Sequence, residues 1–145
     1  VSAAIGHNQF KRLDKFINIR TFNRKKIIEA ITNNPLLNNK IDFYHENKNV
    51  IPSWFGLSIK TLINEKQYKY KIIKKLEKNG IETRPIISGN FADQPSAKIY
   101  KLTNKQKFPN TDIVYDSSFF IGLPSKKINK KYLKKIIRSF EKSFI

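Results

Sequence analysis

The residues best suited to chemistry in this sequence fall in one run, Gly80-Ile81-Glu82-Thr83-Arg84-Pro85-Ile86-Ile87-Ser88-Gly89-Asn90-Phe91-Ala92-Asp93-Gln94-Pro95. Gly80 can take the left-handed backbone that ends a helix. A short apolar strand with Arg84 beside it follows, then a Gly89-Asn90 turn and a Gln94-Pro95 pair. Such a stretch reads as a loop that presents fixed polar groups; the competing reading is an ordinary passage from helix to strand to turn. A guanidinium in that setting suits a carboxylate or a phosphate, because its planar fork pairs bidentately with either. Its alternative is a structural ion pair with a carboxylate such as Glu82. Metal chemistry has no support: His7 and His45 lack partners at ligand spacing, and there is no cysteine. Both histidines read as surface residues. No residue stands out as a catalytic acid, base or nucleophile.

Composition bounds the rest. The 145 residues, 39% hydrophobic and 12% aromatic, suffice for one ordinary domain with a sizeable core. No apolar run approaches the ~20 residues of a membrane span, and no secretory segment opens the chain. With zero cysteines, this fits a cytoplasmic protein without a membrane partner. The formal charge of +18 invites a nucleic-acid reading. Yet the 29 basic residues are 24 Lys and only 5 Arg, alongside 22 Ile and 15 Asn, the pattern of an AT-rich coding bias. Nucleic-acid sites lean on Arg for bidentate contacts, so solvated lysine faces are the better reading. The chain has no Met and begins Val1-Ser2-Ala3 without a cap, which reads as a piece of a longer protein whose N-terminal part is missing.

Elements must hold these side chains. Ser2 to Thr32 reads as one long amphipathic helix, with Phe10, Leu13, Phe16, Ile17, Ile27, Ile28 and Ile31 at three- and four-residue spacing. Lys11, Arg12, Lys15, Arg24, Lys25 and Lys26 fall mostly on its other side. At its full length it would span on the order of 45 Å, enough to overhang the domain and bridge to the missing part. Residues 1–34 are therefore expected to be an interdomain helix, and 35–145 a small C-terminal domain.

Within that domain, Ile41, Phe43 and Tyr44 suggest a short strand, and Ser53 to Ile59 an aromatic-rich one. A helix over about Glu65 to Asn79 follows, with Tyr68, Ile72, Ile73 and Leu76 buried and lysines covering the remainder. Pro95 to Pro109 reads as basic and irregular, and Asn110-Thr111-Asp112 as a cap for a short helical turn. Ser118 to Leu123 reads as a buried strand closed by Pro124. Asn129 caps a last helix, whose apolar face is Tyr132, Leu133, Ile136, Ile137, Phe140 and Phe144. The class is α+β: a small sheet covered by helices on one side, preceded by the long helix.

Three stretches together resemble the C-terminal part of the DegT/StrS-type sugar aminotransferases, pyridoxal-phosphate enzymes of fold type I. The first is Ala3-Ala4-Ile5-Gly6 with Gln9-Phe10, Leu13-Asp14, Phe16-Ile17 and Arg20; Ser2 and His7 depart from the family pattern. The second is Pro52-Ser53-Trp54-Phe55-Gly56. The third is Thr83-Arg84 with Gly89-Asn90 and Gln94-Pro95, followed by Asn110-Thr111-Asp112 and Phe119-Phe120-Ile121-Gly122. They look like one subgroup, the nucleotide-sugar 3-dehydratases of lipopolysaccharide O-antigen biosynthesis. The ordinary aminotransferases carry a His-Tyr pair where this chain has Ile87-Ser88-Gly89-Asn90.

The resemblance implies a cofactor, pyridoxal phosphate or pyridoxamine phosphate, bound mainly by the missing N-terminal domain. That domain would also supply a Schiff-base Lys, or the His that replaces it in the dehydratases. It implies a nucleotide-linked 4-keto-6-deoxyhexose as substrate, 3-dehydration as the favoured reaction and transamination as its variant, glutamate as amino donor, and a homodimer. In that setting Arg84 would hold a glutamate carboxylate or the sugar diphosphate. Asn90, placed by Gly89, would bond sugar hydroxyls or else be a turn residue. Ser53 and Trp54 would line the same pocket, against the stronger reading of sheet packing. This chain alone would be inactive. The alternatives of another class are a basic nucleic-acid-binding domain and an inactive truncated remnant.

Overall fold

Period-two alternation of apolar and polar side chains builds the sheet. In the computed structural model, which describes residues 1–87, 89–100 and 107–145, Leu57, Ile59 and Thr61 point to one face of strand β2 (Gly56–Thr61). Phe119 and Ile121 do the same on β4 (Ser118–Gly122). Two short strands, β1 (Ile41–Phe43) and β3 (Thr83–Pro85), complete a four-stranded sheet of order β1-β2-β4-β3. Every pairing is antiparallel, and the register sets Phe43 beside Ile59, Ile59 beside Phe119, and Leu57 beside Ile121 beside Thr83. That face is thus apolar apart from the buried Thr61 and Thr83.

Helices cover that face. Ile27 and Ile31 of α2 (Leu13–Thr32), Ile72 and Leu76 of α3 (Lys66–Lys78), and Phe140 and Phe144 of α6 (Lys130–Phe144) join the strand residues in one core. Phe119 and Phe140 are fully buried within it. Truncating a Phe in such a core costs about 3–5 kcal/mol, through lost transfer energy and the cavity left behind. Three shorter helices complete the chain: α1 (Ser2–Phe10), α4 (Pro95–Ile99) and α5 (Pro109–Ser117), the last packed on α3.

Local signals decide several ends as the sequence predicts. Gly80, at φ 81°, stops α3, and the Asn129 side chain accepts the Tyr132 amide to start α6. Others differ. The opening helix is broken at Lys11-Arg12, where Arg12 N–H donates to the Gln9 carbonyl in a tighter turn. Among the described residues the apolar stripe is left uncovered there: Phe10 is 74% and Leu13 40% exposed, and α1 buries no residue.

Strand β2 starts at Gly56, so Ser53 and Trp54 precede the sheet rather than lie in it. Pro95–Ile99, expected to be irregular, is helical. Helix α5 begins at Pro109, which needs no amide partner at a first position. Asn110-Thr111-Asp112 therefore lie inside its first turn rather than ahead of it. Lys101 to Gln106, within the irregular passage, lie outside the described residues, as does Ser88.

Two buried polar residues tie the layers together. Asn23 of α2 donates to the Pro124 and Lys126 carbonyls and accepts the Ile128 amide, pinning the β4–α6 loop. Thr61 donates to the Ile63 and Ser117 carbonyls, joining β2 to the end of α5. Each satisfies backbone groups that would otherwise be desolvated unpaired.

Candidate functional site

The face of the sheet away from the core carries the sequence-predicted residues. Alternation turns Ser58, Phe120 and Arg84 outward, and the register lines them up: Ser58 pairs with Phe120, and Phe120 with Arg84. The ring of Phe55 meets Phe120 edge-on at 5.3 Å and 81°. Gly56 makes the close approach feasible, since a Cβ there would stand 2.5 Å from the Phe120 ring.

Two hollows flank this aromatic pair and share it. One, of about 610 Å³, is lined by Arg84, Glu82, Phe55, Phe120, Tyr132 and Ile136 among others. The other, of about 230 Å³, is lined by Ser53, Trp54, Ser58, Ile86, Ile87 and Phe120 among others.

Arg84 is exposed on this face and pairs with Glu82, also exposed. The ion pair foreseen as its alternative therefore exists. At a solvated position it is worth about 0.2–1 kcal/mol, little enough for a ligand anion to displace the carboxylate. Ser53 is exposed and Trp54 half-buried. Trp54 is held from behind by Arg24, whose guanidinium carbon lies 4.1 Å from the ring centroid. Arg24 is itself buried; it donates to the Tyr44 carbonyl at 2.6 Å and pairs with Glu46 at 3.3 Å. Burial lowers the Arg24 pKa and the Glu46 carboxylate works against that shift. Trp54 thus both packs, as the sheet-packing reading held, and lines the hollow.

Asn90 is placed differently. Its side chain is turned inward, 7% exposed. Its carbonyl accepts the Ala92 amide at 3.1 Å and opens the 3-10 turn Phe91–Asp93; its amide donates to Asp112 at 2.9 Å. This is the turn role that stood as its alternative. Gly89 seats the same loop: its φ is +66°, and a Cβ there would fall 1.9 Å from the Tyr115 ring. The loop is held to α5 at both residues. Neither hollow beside Phe55 and Phe120 counts Asn90 among its lining residues.

Several residues of the face escaped sequence reasoning. Phe55 and Phe120 sit in apolar runs where periodicity alone does not say which ring faces out. Ile87 is 88% exposed with φ 49°, a backbone region that β-branched residues rarely adopt. Lys69, read as part of a solvated lysine face, is 5% exposed. It donates to the Tyr115 carbonyl and lies 5.0 Å from that ring and 5.2 Å from the Tyr70 ring. Burial pushes its pKa down, with Asp116 opposing and Lys66 adding to the shift. A signal did exist: Lys69 sits three residues before Ile72, on the buried stripe.

The profile of the DegT/DnrJ/EryC1/StrS aminotransferase family matches residues 1–141. A GDP-4-keto-6-deoxy-D-mannose 3-dehydratase of Escherichia coli O55:H7 is 28% identical over 123 residues, covering 84% of this chain and 30% of that protein. The lipopolysaccharide biosynthesis protein RfbH of Salmonella typhimurium is 24% identical over 145 residues, covering 99% of this chain and 32% of the relative. The chain thus spans about a third of the length of the curated relatives it matches. Among solved structures, an E. coli GDP-4-keto-6-deoxy-D-mannose-3-dehydratase with bound hydrated PLP superposes with a TM-score of 0.75 at 25% identity. That match covers 97% of this chain and 34% of the other. Both the family and the subgroup that the three motifs resemble reappear in these matches, and this chain belongs to the DegT/DnrJ/EryC1/StrS aminotransferase family.

Proposed function

We propose that this chain is the C-terminal domain of a nucleotide-sugar 3-dehydratase, acting on a nucleotide-linked 4-keto-6-deoxyhexose in cytoplasmic deoxysugar and lipopolysaccharide biosynthesis. The observation that carries the reading is the outward row Ser58–Phe120–Arg84 with its two hollows. It occurs in a chain that matches 3-dehydratases over 84% of its length. A nucleotide sugar combines an anionic diphosphate with a partly apolar deoxyhexose, and this face offers a guanidinium beside an aromatic pair. Arg84 would release Glu82 and pair with the diphosphate, or with the carboxylate of a glutamate amino donor. Trp54, fixed by Arg24, and Ser53 would line the hollow beside it. Asn90 would act through the loop, holding Gly89 and Ile87 in place rather than touching ligand.

Lys69, a buried lysine, has its ammonium bonded to the Tyr115 carbonyl and so is not free to reach a cofactor. We assign the cofactor, the base that selects dehydration over transamination and the residues of the reacting centre to sequence outside this chain. This chain alone is accordingly inactive. Its long helical lead-in, α1 and α2, and its open sheet face would complete a site shared with the cofactor domain and a second subunit of a homodimer.

The test uses the longer gene product that carries this chain at its C-terminal end. It is loaded with pyridoxal phosphate, reduced with borohydride and analysed by mass spectrometry. Tight cofactor binding without a covalent adduct is expected of a dehydratase with His in the lysine position. A lysine adduct would assign the protein to transamination, and no binding would overturn the reading.

A further inference from the structure

Helices α3 and α6 lie side by side on the core face of the sheet. The Asn79 amide bonds the Ser143 hydroxyl at 3.3 Å, and the Ser139 hydroxyl donates to the Asn79 carbonyl at 3.2 Å. On the solvent side of α6, Lys130, Lys134, Arg138 and Lys142 form one row at four-residue spacing, with Lys131 and Lys135 beside it, all exposed. On α3, Lys71, Lys74 and Lys78 are exposed in the same way. Like charges at this spacing destabilise a helix, and little on the surface offsets them. Of the 11 acidic residues in the chain, α3 holds only Glu77 and α6 only Glu141. Both are already hydrogen-bonded, Glu77 to Thr83 and Glu141 to Asn34. The ion pairs found among the described residues all lie on other elements. Coding bias explains many lysines; it does not explain two adjacent helices with so few acids to balance them.

We propose that the α3–α6 layer is a docking surface for an anionic lipid bilayer. The layer is two helices wide, not a groove, and its charges are almost all ammonium groups. Such groups suit the diffuse attraction of an anionic leaflet, whereas nucleic-acid sites favour guanidinium forks. The exposed lysines lie on a different side of α6 from Tyr132 and Ile136, which line the hollow beside Arg84. Among the described residues no helix is long and apolar enough to cross a membrane, and peripheral attachment through charge needs none. This inference does not rest on the enzymatic reading.

The test is co-sedimentation of the complete gene product that carries this chain with phosphatidylcholine vesicles, with and without about 30 mol % phosphatidylglycerol, at rising salt. Binding to the anionic vesicles alone, lost at high salt, is expected. The triple variant Lys130→Gln, Lys134→Gln, Arg138→Gln should weaken partitioning by roughly tenfold or more. The variant Lys11→Gln, Lys15→Gln, Lys25→Gln, with the same change in net charge, should stay within about twofold of the parent, since it leaves the layer's own charges intact. Circular dichroism checks that both variants are folded. Equal losses in the two triples, or no binding to anionic vesicles, would overturn the proposal. Tighter binding to duplex DNA than to vesicles at the same salt, lost in the first triple, would assign the face to nucleic acid instead.

Discussion

Replacing Gly89 with alanine tests how the loop after β3 is held. Two separate penalties apply. The backbone sits at φ +66°, where a residue with a Cβ is destabilised by about 1 kcal/mol relative to glycine. The new Cβ would also stand 1.9 Å from Cδ2 of Tyr115, so the ring or the loop must move, at the ~1–3 kcal/mol typical of overpacking. The sum is about 3 kcal/mol. Urea unfolding can be followed through Trp54, the chain's single Trp, whose packing on Arg24 makes its emission sensitive to the fold. With an m value of about 2 kcal/mol/M, the midpoint should fall by about 1.5 M. In a Tyr115→Ala background the clash is gone, and Gly89→Ala should cost only about 1 kcal/mol, leaving a coupling of about 2 kcal/mol. A loss under ~1 kcal/mol in the parent, or an undiminished loss without the Tyr115 ring, would refute this account of the loop.

Other expectations concern the charged residues. Arg24→Met should destabilise the fold by about 2–4 kcal/mol and red-shift the Trp54 emission, because it removes the Tyr44 bond, the Glu46 pair and the ring contact together; a Lys there should rescue little of it. Lys69 gives a pH signature. With its folded pKa depressed by burial, the unfolded chain binds more protons between that value and the ordinary lysine value, so stability rises with pH across this alkaline window. Lys69→Met should remove that rise, which paired urea titrations of the two proteins would show; an unchanged slope would contradict it. In the complete gene product, Arg84→Gln should raise KM for the nucleotide sugar about tenfold or more while leaving the unfolding free energy within ~0.5 kcal/mol of the parent, as its pair with Glu82 is solvent-exposed.

Features written locally were legible in the sequence. Gly80 ends α3 and Asn129 starts α6 because each needs only its own backbone or side chain to do so. The class of small sheet with helices on one face followed from short apolar runs alternating with amphipathic ones. Features set by distant partners were not legible. Arg24 read as the polar side of a helix, yet Trp54 packs on it, and Asn23, which drew no notice, is buried under the β4–α6 loop. The stripe of Phe10 and Leu13 predicted a continuous buried helix, but among the described residues no element covers them and the helix breaks beside them. In the candidate site, Arg84 was identifiable by type and position. Its neighbours Phe55 and Phe120 were not, because their orientation depends on strand register. Asn90 drew attention for the turn it stabilises.

The most direct measurement for the proposed function is the mass of the product. The complete gene product would be incubated with pyridoxal phosphate, glutamate and a GDP-linked 4-keto-6-deoxyhexose, and the sugar nucleotide analysed by mass spectrometry. The account predicts a nucleotide sugar that has lost its C3 hydroxyl oxygen and retains the 4-ketone. A product that keeps the C3 hydroxyl and carries an amine at C4 would contradict it.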